Sequence, residues 1–126
     1  MSTSDPSEFG AWLTSMVAEH GEFTVLVILV ELGQRSVSPL CSTYFHVIGD
    51  EVTWDEITAM LAGSGQAWSG VAFFPTKGRD GGPIDNPTAR LRMRELEERV
   101  MADRMTLNDG HFFDAHGRRI EIAPES

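Results

Sequence analysis

The chain predicts an α+β fold, with helices packed on a mostly antiparallel sheet. Three observations predict it. Residues 23–30 (Phe-Thr-Val-Leu-Val-Ile-Leu-Val) form a charge-free run rich in β-branched side chains, which suits a pleated surface better than a helix. Around that run, amphipathic helical segments with capping signatures alternate with short strand-like segments. The connections are short, and the last two strand-like segments flank a glycine turn, so hairpin pairing is the simplest topology. The order read is α-β-β-α-β-α-β-β, a single domain over residues 1–126 with mobile tails expected at 1–4 and 124–126. A mixed sheet with one parallel crossover through the longest helix is the alternative.

The first helix is announced by Asp5 as a cap, Pro6 at the first helical position and Glu8 completing a capping box. Phe9, Trp12, Leu13, Met16 and Val17 follow as one apolar stripe, and Gly21 stops it. The 23–30 run comes next. Glu22 and Glu31 close it, far short of the ~20 apolar residues of a membrane span. It shows no polar alternation, so both its faces need cover and it reads as a central strand.

Residues 33–42 read as a polar connection containing Pro39, and residues 43–48 as a second strand, antiparallel to the first. Thr53 to Glu56 is a second capping box, with Val52 and Ile57 placed as a hydrophobic staple across it. That helix runs to Ala62 and stops at the glycines 63 and 65. Residues 70–74 form a third strand, ended by Pro75. After a glycine-rich loop, Asp85 caps the longest helix and Pro87 opens it. Its apolar stripe is Ala89, Met93, Leu96 and Val100, extended to Met101. Arg94–Glu98 and Glu95–Arg99 stand at the four-residue spacing of ion pairs. Asn108-Asp109-Gly110 turns the chain into a hairpin of residues 111–114 and 118–122 around Ala115-His116-Gly117. The three helices are expected on one side of the sheet. The second face of the 23–30 strand would then fall to a loop, the hairpin or another subunit.

Composition narrows the function classes. With 41% apolar and 23% charged residues in 126, this is ordinary globular material. A net charge of −9 works against nonspecific binding to nucleic acid or anionic membrane. The N-terminal residues show no basic region or apolar stretch, and the one cysteine, Cys41, has no internal partner. Both features point to the cytoplasm. The charge is uneven. Residues 76–94 hold Lys77, Arg79, Arg90, Arg92 and Arg94 against Asp80 and Asp85, net +3, which leaves −12 for the remainder.

That basic window is the candidate site. A glycine-rich loop (residues 78–83) leads into a helix N-terminus, whose free N–H groups and dipole favour anions. Lys77, Arg79, Arg90 and Arg94 are the candidate residues for an anion or an acidic partner. Against the anion, Asp85 already takes the cap, and the loop fits no phosphate-loop or dinucleotide pattern. An exposed loop with a salt-bridged helix face is the weightier reading.

The other chemistry is thinner. Cys41 has only Arg35 nearby as a cation, so a packed thiol outweighs a nucleophile. His111, Asp114 and His116 could gather at the hairpin, but no metal-ligand spacing supports it. His20 fits the C-terminal end of the first helix, and His46 fits a strand position, either facing solvent or hydrogen-bonded in place. Trp12, Trp54 and Trp68 read as core before they read as partner surface. Asp50-Glu51 and Asp55-Glu56 read as turn and first-turn charge. No motif asks for a cofactor or assembles a catalytic set. The expectation is a non-catalytic module that binds another protein, with a homodimer as one form. A small enzyme or binding domain for a phosphate- or carboxylate-bearing metabolite is the alternative.

Overall fold

The computed structural model describes residues 8–32, 37–48, 53–63, 65, 68–79 and 81–120. Its elements are α1 (Glu8–His20), β1 (Phe23–Leu32), β2 (Val37–Val47), α2 (Trp54–Ala62), β3 (Gly70–Thr76), α3 (Asn86–Ala102), a 3₁₀ turn (Arg104–Asp109), β4 (His111–Asp114) and β5 (Arg119–Ile120). The strands form one sheet in the order β2-β1-β3-β4-β5, and every neighbouring pair is antiparallel. The α-β-β-α-β-α-β-β order and the α+β class therefore hold, and the parallel crossover does not occur.

β1 is the second strand of the sheet, and residues 23–30 are buried throughout. Successive side chains of a strand point to opposite faces, so its two alternating sets enter two separate cores. Phe23, Val25, Val27 and Leu29 meet Phe9, Trp12 and Leu13 of α1 and Trp54, Ile57 and Leu61 of α2. Leu26, Ile28 and Val30 meet Met93, Leu96 and Val100 of α3, with Leu107 from the 3₁₀ turn. This corrects the expectation of helices on one side. A strand apolar on both sets needs a layer on each face, and α3 is the second layer. Each fully buried Leu, Val or Phe contributes about 1.5–3 kcal/mol of transfer free energy, so neither core is a minor one.

The caps follow the sequence. Thr53 accepts from the Glu56 N–H at 3.3 Å and starts α2. Asp85 accepts from the Thr88 N–H at 2.8 Å and starts α3. Gly21, at φ 72°, ends α1 with its N–H on the Val17 carbonyl. The proposed cap at Asp5 and the staple at Val52 lie outside the described residues.

Two strands run longer than their prolines suggested. β2 begins at Val37, and Pro39 sits opposite Val30 where the register slips between Leu29 and Val30. β2 is an edge strand, and a bulge on an edge is where a residue without an N–H fits. β3 continues through Pro75 to Thr76 along β1, while β4 pairs only with Gly70, Val71, Ala72 and Phe73. Past Phe73 the outer side of β3 has no ladder for the proline to interrupt.

The terminal hairpin holds the start of α1. The Phe9 N–H donates to the Gly117 carbonyl at 2.9 Å, and the Arg119 N–H donates to the Glu8 carboxylate. Asp114 builds the turn, accepting from the N–H groups of His116 and Arg118 and from the Arg118 guanidinium at 3.1 Å.

Candidate functional site

The basic window divides among three places. Lys77 donates through Nζ to the His20 carbonyl at 3.2 Å, tying the loop after β3 to the end of α1. Arg79 is exposed in that loop. Arg90 and Arg94 stand one turn apart on α3, both exposed, and neither has a partner among the described residues. Among the described residues no hydrogen bond or ion pair joins the loop pair to the helix pair.

The loop is poorly furnished for an anion. The Gly78 N–H donates to Gly82, and the Gly81 N–H to Gly78, both at 3.0 Å. The Ile84 N–H donates to Thr24 Oγ1 at 3.0 Å. At the helix start, Asp85 receives the Thr88 N–H on its side chain and the Ala89 N–H on its carbonyl. The Thr88 hydroxyl and N–H hold the Asp85 carboxyl below its usual pKa, so the positive end of α3 already faces a carboxylate. The donors a phosphate would use here are largely taken.

Sequence reasoning missed the contacts that tie the start of α3 to the sheet. Thr24 is fully buried on the α3 face of β1. Its Oγ1 lies 2.8 Å from His46 Nδ1, and His46 Nε2 lies 2.8 Å from Asn86 Oδ1. One consistent set of directions has Ile84 N–H donate to Thr24, the Thr24 hydroxyl donate to Nδ1, and Nε2–H donate to Asn86. The chain thus links β1, edge strand β2 and the first residue of α3. The signal available was a lone threonine inside an otherwise apolar strand. Farther along the same flank, the Ser42 hydroxyl donates to Glu97 at 2.8 Å.

Clefts open on both sides of α3. One, of about 710 Å³, lies over Phe74, Pro75 and Thr76 and is bordered by Arg92, Arg99, Glu95 and Glu98. The other, of about 170 Å³, lies toward β2 and is lined by Leu40, Cys41 and Ser42 on one side and Glu97, Val100 and Met101 on the other. Neither is lined by Arg90, Arg94 or a histidine. Cys41 lies in β2 rather than in a loop, and it packs against the α1/α2 core.

The outer face of α3 differs from its expected form in two respects. Met101, expected in the buried stripe, is 86% exposed, and Leu91 is 54% exposed. The stripe closes at Val100, and Met101, a further 100° around the helix, leaves the core for the open rim of the cleft toward β2. Neither Arg94–Glu98 nor Glu95–Arg99 closes into an ion pair; among the described residues the pairs within reach are Arg118–Asp114 and His20–Glu19. The four-residue spacing permits such pairs without enforcing them, because each is worth only about 0.2–0.5 kcal/mol.

At the hairpin the candidate metal ligands part. His111 and Asp114 are three apart on a strand and so face opposite sides of the sheet. Among the described residues no group of three His, Cys, Asp or Glu side chains is gathered for a metal. His111 instead packs on Trp12, with ring centroids 5.2 Å apart, and accepts from Arg119 at 2.9 Å. The three tryptophans pack with the core: Trp12 and Trp54 are buried within it and Trp68 lies against it. The Trp54 indole N–H donates to Ala115, while that of Trp12 finds no partner among the described residues.

The hairpin also gives an acid limb to stability. Burial first, and the Arg119 charge second, push the His111 pKa below its usual value. Burial raises Asp114, but the N–H groups of Arg118 and His116 and the Arg118 guanidinium together outweigh it and hold the carboxyl low. In both cases the unfolded chain takes up the proton more readily. The His111 contribution is complete above about pH 6.5, the unfolded imidazole value, and is lost as pH falls through the depressed folded value. The Asp114 contribution is complete above about pH 3.9 and is lost below it. Urea midpoints at pH 7.5 and pH 5.5 should therefore differ more for the native chain than for His111→Gln. Equal differences would show that the His111 ring is not the source.

No helix among the described residues is long and apolar enough to cross a membrane. Compared with family models, with curated proteins and with solved structures, the chain matches none.

Proposed function

We propose that the chain is a non-catalytic protein-binding or regulatory module of the cytoplasm that meets its partner through the outer face of α3. One observation carries this reading. Leu91 and Met101 stand exposed on that face, beside Arg90, Arg94 and Glu98, and none of these three charges is committed to a partner among the described residues. Exposed apolar side chains set among charges that remain free to pair are the makings of a protein interface. The partner is another protein with acidic groups opposite Arg90 and Arg94; a second copy of the chain, which offers Glu95, Glu97 and Glu98, meets that requirement. Nucleic acid is disfavoured, because a +3 window on a −12 remainder attracts little at physiological salt.

The test is the double variant Arg90→Glu, Arg94→Glu. Both positions are exposed, so the fold should change in stability by no more than about 0.5 kcal/mol, while partner capture falls. Recovery of the same partners at native yield would sink the reading. The anionic-metabolite alternative retains one specific observation, Arg92 and Arg99 on the rim of the larger cleft, though Glu95 and Glu98 offset them there. The same protein screened by thermal shift against phosphates, nucleotides and carboxylates decides it. A ligand at 100 times its dissociation constant adds about 2.7 kcal/mol, and a flat panel removes the alternative.

A further inference from the structure

We infer that the partner seated on α3 is a second copy of this chain, packed antiparallel across a two-fold axis at the level of Leu96. The inference rests on the partner-binding reading above and specifies its occupant. Leu91, Arg94, Glu98 and Met101 are spaced three, four and three residues apart, the repeat of a coiled-coil seam, and all four are exposed. With the axis at Leu96, antiparallel helices set Leu91 of one copy against Met101 of the other, and Arg94 against Glu98. Each apolar residue meets an apolar one and each charge meets its opposite. Self-complementarity of this kind is what an isologous interface demands.

The charge along the helix agrees. Its first half carries Arg90, Arg92 and Arg94 with no acid, and its second carries Glu95, Glu97 and Glu98 against Arg99. Antiparallel pairing lays the basic half of one copy on the acidic half of the other. It also explains why Arg94 and Glu98 stay open within one chain although four residues apart: across the axis each finds the other, twice. The 17 residues of α3 extend about 25 Å, which places the contact among small, weak interfaces. Two bodies of −9 also repel at a distance. Dimerisation is therefore expected at micromolar concentration and at physiological salt, where repulsion is screened beyond about 8 Å.

Sedimentation of four samples tests this: the native chain, Arg94→Glu, Glu98→Arg, and an equimolar mixture of the two variants. The native chain should reach a dimer. Each single variant sets like charges face to face at both central contacts and should raise the dissociation constant at least ~10-fold. The mixture should dimerise again, because one variant then offers two acids to the two bases of the other. A register test accompanies it. With Cys41→Ser as background, Leu91→Cys plus Met101→Cys should oxidise to a covalent dimer; within one helix those positions are about 15 Å apart and cannot bridge. A native chain that stays monomeric, or a mixture that fails to recover, overturns the second copy as occupant. Should the chain be monomeric while the Arg90→Glu, Arg94→Glu variant still loses a foreign partner, the binding face stands and only its occupant is wrong. If neither effect is seen, both fall.

Discussion

Phe73→Ala should cost about 3–5 kcal/mol of folding free energy, the largest loss expected from any substitution considered for this chain. Phe73 is fully buried at the centre of an aromatic cluster. Its ring lies within 6.4 Å, centroid to centroid, of the rings of Phe9, Trp12, Phe45, Trp54 and Phe113, and it stacks on Trp12 at 14°. Those partners come from α1, β2, α2 and β4, so one truncation opens a void on which four elements converge. Whole-domain stabilities run about 5–15 kcal/mol, so the variant is expected to be marginal or unfolded at 37 °C. Phe73→Leu should cost clearly less, because most of the volume remains. Urea denaturation of the three proteins measures this, and a loss below ~1.5 kcal/mol for alanine would mean that the cluster collapses into the gap.

Thr24→Val should follow, at about 1–3 kcal/mol, although it changes almost no volume. The loss has a different origin. Valine fills the site but removes the oxygen that accepts the Ile84 N–H and meets His46 Nδ1, so a buried donor is left without a partner. Thr24→Ser keeps the oxygen and should recover most of the loss, which a packing effect would not allow. The urea midpoint should fall with its slope unchanged. Hydrogen exchange should quicken at the start of α3, where Asn86 is held through His46. A valine variant as stable as the native chain would show that the network contributes nothing to folding.

These two residues mark how far the sequence could be read. Phe73 was legible as core because its strand is apolar and short, and the same logic located β1, the caps at Thr53 and Asp85, the stop at Gly21 and the closing hairpin. Those signals are local, each needing only a few neighbours in the chain. Thr24 was not legible, because a network joining positions 24, 46, 84 and 86 needs the register Thr24↔His46 and the docking of α3 before it exists. Pro39 and Pro75 misled for a related reason. Proline ends a strand only where a neighbour needs its N–H, and which edges are open is a property of strand order. The division of helices between two faces could have been argued from β1, whose alternating sets are both apolar. Of the candidate site, the exposed basic helix face was legible in the Arg spacing. The exposure of Met101 and the open Arg94–Glu98 pair were not, since both depend on how α3 is rotated against the sheet.

The contact between Glu8, Phe9 and the hairpin has a consequence for the order of assembly. α1 reaches its partners at Gly117 and Arg119 only after about a hundred residues of intervening chain have been placed, whereas β1 and β2 meet across a short connection. Distant closures carry a larger loop entropy and come late in folding. During synthesis α1 leaves the ribosome before every other described element, yet its docking site is incomplete until β4 and β5 have emerged. Until then Phe9, Trp12 and Leu13 have no complete pocket, so α1, the earliest of the described helices in the chain, is expected to be among the last to be fixed.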